Sequence, residues 1–204
     1  MKEKLKKEIL SKKIIILVVF IVFILGLLFG SIYITLLNNS NKKVVLDSVN
    51  NYYSSFNKIS ITDKFNIFKS NLSSNLIYYI VMWLLGLSII GLPIIVFMIF
   101  MRFFVTGFNI SSLFACYKLK GLKYVLVYLV PSNIILLLLS IFLGIYSVNI
   151  SIRLATNIIK KKTINFGTFI GKYFFILLIS ILVVVITSLY DSFVSPFFYN
   201  LFTK

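Results

Sequence analysis

The sequence predicts an all-α, polytopic integral membrane bundle with about five transmembrane helices, organised as a single transmembrane domain over residues 1–204. Hydrophobic residues make up 60% of the chain and charged residues 13%, whereas soluble domains average roughly 45–50% and 25%. Lys and Arg cluster between uncharged runs of roughly 20 residues, the length that a helix needs to cross a bilayer. Such runs must be helical, because lipid offers no partners for backbone N–H and C=O groups.

The first predicted span covers residues 14–37, an uninterrupted apolar run that follows a basic segment. A signal peptide also begins with basic residues, but this run is too long for its apolar core and no small-residue cleavage site stands out after it. We therefore expect a retained helix. Six lysines precede it and place the N-terminus in the cytoplasm, because positively charged flanks tend to stay on that side.

Residues 38–71 form the one sizeable polar segment of the chain. Apolar residues recur in it at spacings of three and four, which predicts two amphipathic helices separated by a break near Ser60, where Ser60 or Thr62 could cap the second helix. One interpretation is a helical hairpin on the bilayer surface or on the other spans. The other is a docking surface for an extracytoplasmic partner, with candidate partner-binding residues Val45, Val49, Tyr52, Phe56, Phe65 and Phe68.

The next apolar stretch is too long for one helix and predicts two spans, about 72–91 and 93–116. Gly91-Leu-Pro93 interrupts it, and proline breaks a helix by removing a donor and clashing with the preceding turn. Gly86 and Gly91 are small residues of the kind that let membrane helices pack closely. A tight turn between the two spans is therefore expected.

A short basic loop, 117–123, leads into a fourth span at about 124–152, in which Pro131 predicts a kink with Asn133 beside the freed backbone groups. The last span is expected at about 173–190, with Asp191 in the tail that follows. Structural roles, or polar positions at membrane depth, are expected for Asn75, Trp83, Gly86, Gly91, Pro93, Arg102, Pro131 and Asn133.

The sequence offers no catalytic constellation, so we expect no enzyme activity, no metal site and no cofactor. It contains no histidine and five acidic residues, which removes the commonest general base and metal ligand. The five carboxylates show no pairing at helical spacing, and no phosphate-binding loop occurs. The formal charge of +16 does not indicate nucleic acid, because the basic residues flank apolar spans where they contact lipid headgroups. A homo-oligomer is compatible with the sequence.

Arg102 is the one charge within an otherwise apolar run. Two interpretations stay open: its head group snorkels to an interface, or it makes a buried polar contact. With Asp191 placed in the tail, no carboxylate is expected beside it in the membrane, which weakens a proton-relay role. Arg102, the proline-broken spans and Asn133 nevertheless motivate one alternative function, a small permease or channel subunit.

Specific residues resemble a known family. The central block runs from Asn75 through Met82-Trp83-Leu-Leu-Gly86 to Gly91-Leu-Pro93. Together with later positions it resembles the stage II sporulation protein M family of endospore-forming bacteria, over nearly the whole chain. The later positions are Arg102, Gly107-Phe108, Val130-Pro131-Ser-Asn133, Asp191 and Ser195-Pro196.

The resemblance implies a role in engulfment of the forespore. Members of this family sit in the mother-cell membrane at the sporulation septum as multi-pass proteins. They join the peptidoglycan hydrolases called stage II sporulation proteins P and D. The expected function is thus a non-catalytic membrane scaffold for peptidoglycan remodelling, whose partners are these hydrolases and the lipid bilayer.

Overall fold

The computed structural model describes residues 2–55, 59–126, 130–159 and 166–198. All regular elements in these ranges are helical. A 3₁₀ turn covers Lys118–Lys120, and a π-helical turn covers Tyr190–Val194. The helices are α1 Lys2–Leu36, α2 Asn39–Ser55, α3 Ile61–Gly86, α4 Gly91–Tyr117, α5 Gly121–Tyr124, α6 Val130–Ile159 and α7 Phe166–Leu189.

The predicted all-α membrane bundle is confirmed, with a small difference in the count of spans. Among the described residues, four segments are long and apolar enough to cross a membrane, against the predicted five or so: Lys13–Leu36, Gly91–Tyr124, Val130–Asn157 and Tyr173–Phe198. The predicted second span lies in α3, which does not reach that apolarity because asparagines and serines interrupt it between residues 70 and 75. Its second half still packs within the bundle, where Tyr79 and Met82 are buried.

Helix α3 joins two segments that the sequence suggested were separate, the second amphipathic helix and the second span. It begins with a capping box, as the predicted cap at Ser60 requires. The Asp63 N–H donates to Ser60 Oγ at 3.1 Å, and the Ser60 N–H donates to Asp63 Oδ2 at 3.1 Å. Two N–H groups that a helix start leaves without partners are thereby satisfied.

Glycine and proline mark the start of α4. Between α3 and α4 the chain turns over residues 87–90, and a Cβ on Gly91 would overlap the carbonyl group of Leu85. Pro93 follows in the first turn of α4, where its missing N–H would have no intrahelical partner. Pro131 lies in α6 directly after residues 127–129, which are outside the described residues, so the kink expected there stays a prediction.

The closest helix pair is α1 with α4. Gly26 lies against Phe100, and Gly30 against Phe104, so the two helices run in the same direction. A Cβ on Gly26 would come within 2.7 Å of the Phe100 carbonyl oxygen. From the other helix, Gly107 faces the backbone of Leu27. Small residues on both sides thus allow the two backbones to touch, as in other closely packed membrane helices.

Candidate functional site

A polar cavity of about 470 Å³ lies among α3, α4, α6 and the π-helical extension of α7, with α2 along one side. This volume falls in the range of small-molecule sites, roughly 300–1,000 Å³. Its polar lining is unusual for a bundle of this apolarity, and it contains both signs of charge. The lining residues are Ser48, Val49, Tyr52, Tyr53, Asn71, Ser74, Asn75, Arg102, Val105, Thr106, Asn109, Leu113, Ser132, Asn133, Leu136 and Asp191.

Helical spacing brings these polar residues to one place. On α4, Arg102, Thr106 and Asn109 stand four and three residues apart, which puts them on one face. On α3, Asn71 and Asn75 repeat the spacing of four. Each helix therefore presents polar side chains to the cavity from one face.

Arg102 is held in the cavity wall by contacts on two helices. Its Nη2 donates a hydrogen bond of 2.9 Å to Asn75 Oδ1, and Asn75 Nδ2 in turn donates to the Asn71 carbonyl at 2.9 Å. The guanidinium carbon lies 5.3 Å from the centroid of the Tyr78 ring, within range of a cation–π interaction. Arg102 is thus half-buried and makes a polar contact within the bundle, the second of the two interpretations left open by the sequence.

The expectation that no carboxylate lies beside Arg102 in the membrane is wrong. Asp191 lines the same cavity as Arg102, so a carboxylate and a guanidinium group share one polar space. The last helical segment does not stop at residue 190 but continues through the π-helical turn to Phe198. A π-helical turn is wider than an α-helical one and often occurs at functional sites.

Three buried polar atoms in the cavity wall have no hydrogen-bond partner among the described residues: Arg102 Nε, Ser132 Oγ and Asp191 Oδ1. Buried polar atoms are nearly always paired, and each exception needs an explanation. The two charged side chains in the described lining therefore have unused bonding capacity of opposite kinds, a donor on Arg102 and an acceptor on Asp191.

Helix α2 packs over one end of the bundle. Tyr53 is buried there and clusters with Leu113 and Val125. Two residues of the predicted partner-binding stripe, Val49 and Tyr52, line the cavity. Among the others, Val45 and Phe68 are half-buried and Phe65 is exposed, while Phe56 lies outside the described residues.

The structure divides the predicted structural residues into three groups. Asn75, Arg102 and Asn133 meet at the cavity. Trp83 and Gly86 pack against Tyr173 at the other end of α3. Gly91 and Pro93 lie at the start of α4, and Pro131 lies in α6.

The sequence reasoning missed Thr106, Asn109, Ser132 and Asp191 as cavity residues. The spacing of Arg102, Thr106 and Asn109 could have predicted the α4 side of the cavity, because it marks a polar face on an otherwise apolar helix. In the part of the chain that the structure describes, no three His, Cys, Asp or Glu side chains form a group able to hold a metal ion. What the cavity can do is bind a polar or charged group through hydrogen bonds and opposite charges.

Comparisons with known proteins identify a family. Among curated proteins and among solved structures, no significant match was found. The family model described as stage II sporulation protein M matches residues 18–196. The matched region runs from within α1 to Pro196 and therefore includes every helix that lines the cavity. The chain belongs to the stage II sporulation protein M family.

Proposed function

We propose that this protein is a non-catalytic scaffold in the mother-cell membrane. It holds the peptidoglycan hydrolases called stage II sporulation proteins P and D at the septum during engulfment. Family membership and four apolar helices make it a sporulation-related, multi-pass membrane protein. The observation that carries the finer proposal is a helical layer, formed by α2 and the first half of α3, that lies outside the four candidate spans.

This helical layer offers an exposed face. Ile61 and Phe65, one turn apart on α3, are 81% and 61% exposed, and Val44 of α2 is also exposed. The buried Tyr53 side chain fixes α2 to the bundle. With the N-terminus in the cytoplasm, the layer would face the cell wall, where the hydrolases act. Large apolar side chains exposed on a polar segment are suited to contact with another protein.

Co-purification tests this surface. Tagged protein is purified from membranes of sporulating cells, and the retained amounts of proteins P and D are measured by immunoblot. We expect the double variant Ile61→Ala/Phe65→Ala to lose most of both hydrolases. The matched control is Phe175→Ala/Leu182→Ala, which removes side chains that are 62% and 59% exposed on the apolar helix α7. Equal retention by both double variants would count against the proposed surface.

A cell-level test addresses the role itself. Cells that lack the gene are followed by microscopy with a membrane dye during sporulation. We expect the mother-cell membrane to stall or bulge at the septum, and the intact gene to restore its migration around the forespore. Normal engulfment and spore yield in the null mutant would contradict the scaffold proposal.

The cavity favours a second candidate, a small permease or channel subunit. Arg102 and Asp191 line one polar space among candidate spans, and such groups often mark a transport path. Liposomes that contain the purified protein would then pass small polar solutes, and Arg102→Leu would abolish the flux. Absence of flux in protein-containing liposomes argues against this candidate.

A further inference from the structure

The cavity adjoins an apolar groove of about 270 Å³. Phe23 and Leu27 of α1 line it, as do Ile134 and Leu138 of α6, and its accessible lining is wholly apolar. Ile134 and Leu138 are also exposed on the outer surface of the bundle, so the groove is open toward the bilayer. Thr106 and Asn133 line both the groove and the polar cavity. The two spaces therefore meet at Thr106 and Asn133, and together they offer a site with a polar end and an apolar end.

The polar end has a specific charge pattern. Among its described lining residues, Arg102 is the cation and Asp191 is the anion. A purely anionic ligand would meet Asp191, and a purely cationic ligand would meet Arg102. A ligand that carries both charges satisfies each, since guanidinium groups bind phosphate well and a carboxylate accepts hydrogen bonds from an ammonium group.

The buried polar atoms that lack hydrogen-bond partners indicate which kind of ammonium group the ligand carries. Ser132 lies beside Asp191, and neither Ser132 Oγ nor Asp191 Oδ1 makes a hydrogen bond of ordinary geometry to a described residue. A primary ammonium group carries three N–H donors, which both oxygens can accept. A quaternary ammonium group, as in choline, has none. The Arg102 Nε–H, in turn, needs an acceptor such as a phosphate oxygen.

We propose that this site binds one phospholipid whose head group is zwitterionic and ends in a primary ammonium. Its phosphate lies against Arg102, its ammonium lies against Asp191 and Ser132, and one acyl chain follows the groove past Thr106 and Asn133. The proposal does not rest on the scaffold role. With this site, the bundle recognises one class of lipid in the membrane that it occupies.

The test uses the whole chain purified in detergent. It is incubated with phosphatidylethanolamine, phosphatidylcholine or phosphatidylglycerol of identical acyl chains, and native mass spectrometry counts the retained lipids. We expect phosphatidylethanolamine to bind about tenfold more tightly than phosphatidylcholine, the loss expected for one charge-assisted hydrogen bond. Equal affinity for the three lipids would overturn the proposal, whether or not any variant folds.

Charge variants distinguish recognition from a structural role. Asp191→Asn leaves Arg102 without an opposite charge, so preference moves from phosphatidylethanolamine to the anionic phosphatidylglycerol. Arg102→Gln weakens the binding of both lipids. The matched controls are Asp47→Asn and Arg153→Gln, exposed charges outside the cavity lining that leave the preference unchanged. A monodisperse Asp191→Asn protein with the unaltered lipid preference would overturn the assignment.

A last binding measurement distinguishes recognition of an intact lipid from recognition of a free head group. Glycerophosphoethanolamine carries the same two charges but has no acyl chains. We expect it to bind far more weakly than the intact lipid, because it cannot fill the groove. Binding as tight as that of the lipid would overturn the groove assignment and identify a soluble zwitterion as the ligand.

Discussion

Trp83 of α3 and Tyr173 of α7 bind each other's backbone. The Trp83 indole N–H donates to the Tyr173 carbonyl at 3.0 Å, and the Tyr173 hydroxyl donates to the Trp83 carbonyl at 2.8 Å. Their rings stack with centroids 5.0 Å apart at 19°. Ser147 of α6 lies 2.8 Å from the same hydroxyl. This reciprocal pair therefore ties three helices together at the end of the bundle opposite the cavity.

Removal of the Tyr173 hydroxyl should weaken the bundle measurably. Tyr173→Phe keeps the stacked ring but leaves the Trp83 carbonyl and Ser147 without this partner. We expect a loss of about 1–2 kcal/mol in stability. The measurement is the temperature at which the detergent-purified protein loses its monodisperse peak. Tyr146→Phe is the matched control, because Tyr146 is exposed on α6. A similar small shift in both variants would contradict the role of the reciprocal pair.

Gly86 permits this arrangement by its lack of a side chain. A Cβ there would overlap the Tyr173 hydroxyl and come within 2.9 Å of Ser147 Cα, which belongs to a backbone that cannot rotate away. Gly86→Ala should therefore destabilise the protein by about 1–3 kcal/mol, the usual range for overpacking.

The control for Gly86 is Gly171→Ala, also within a helix. A Cβ on Gly171 would meet nothing within 4 Å, so alanine should be neutral or slightly stabilising there through its helix propensity. The same thermal measurement distinguishes the two substitutions. If Gly86→Ala were as stable as Gly171→Ala, the close approach of α3 to α6 and α7 would be wrong.

Segregation of charge made the membrane bundle predictable. Long uncharged runs leave helices as the only option in lipid, and the break between α3 and α4 followed from Gly91 and Pro93. The start of α3 was readable as well, because Ser60 and Asp63 have the spacing of a capping box. These features depend on neighbouring residues alone, so a single sequence is sufficient to find them.

The cavity was only partly predictable, because it depends on how far each helix extends. Arg102 and Asn133 were recognised as polar groups at membrane depth, but Asp191 was assigned to a tail. A π-helical turn extends the last helical segment beyond Asp191, and no local sequence pattern predicted that extension. The pairing of α1 with α4 was missed too, although Gly26 and Gly30 have the spacing of a close-packing motif.

That pairing predicts a ranking among glycine substitutions. A Cβ on Gly30 would overlap the backbone carbonyl of Phe104, whereas a Cβ on Gly144 would meet mainly the end of the Ile99 side chain. A side chain can change rotamer, but two packed backbones must move apart. We therefore expect Gly30→Ala to lower the thermal midpoint more than Gly144→Ala. The reverse order would contradict direct backbone contact between α1 and α4.

The capping box at the start of α3 should make that helix end sensitive to acid. Hydrogen bonds from the Ser60 side chain and backbone lower the pKa of Asp63 from its ordinary value of 3.8. A carboxylate with a lowered folded-state pKa stabilises the fold above its unfolded-state pKa and loses that contribution as the pH falls through the lowered value. Near neutral pH the contribution is fully present.

Hydrogen exchange at the first turn of α3 measures this effect, once intrinsic rates are corrected for pH. We expect the unaltered protein to be better protected than Asp63→Asn near neutral pH, and the two proteins to converge in acid as Asp63 becomes protonated. Ser60→Ala removes the cap itself and should reduce local helix stability by about 1 kcal/mol. Asp47→Asn, an exposed carboxylate on α2, is the control that leaves α3 unchanged. A difference between the unaltered protein and the Asp63→Asn variant that persists at the lowest pH would show that the charge of Asp63 is not what holds this helix start, because by then the side chain at this position is neutral in both proteins.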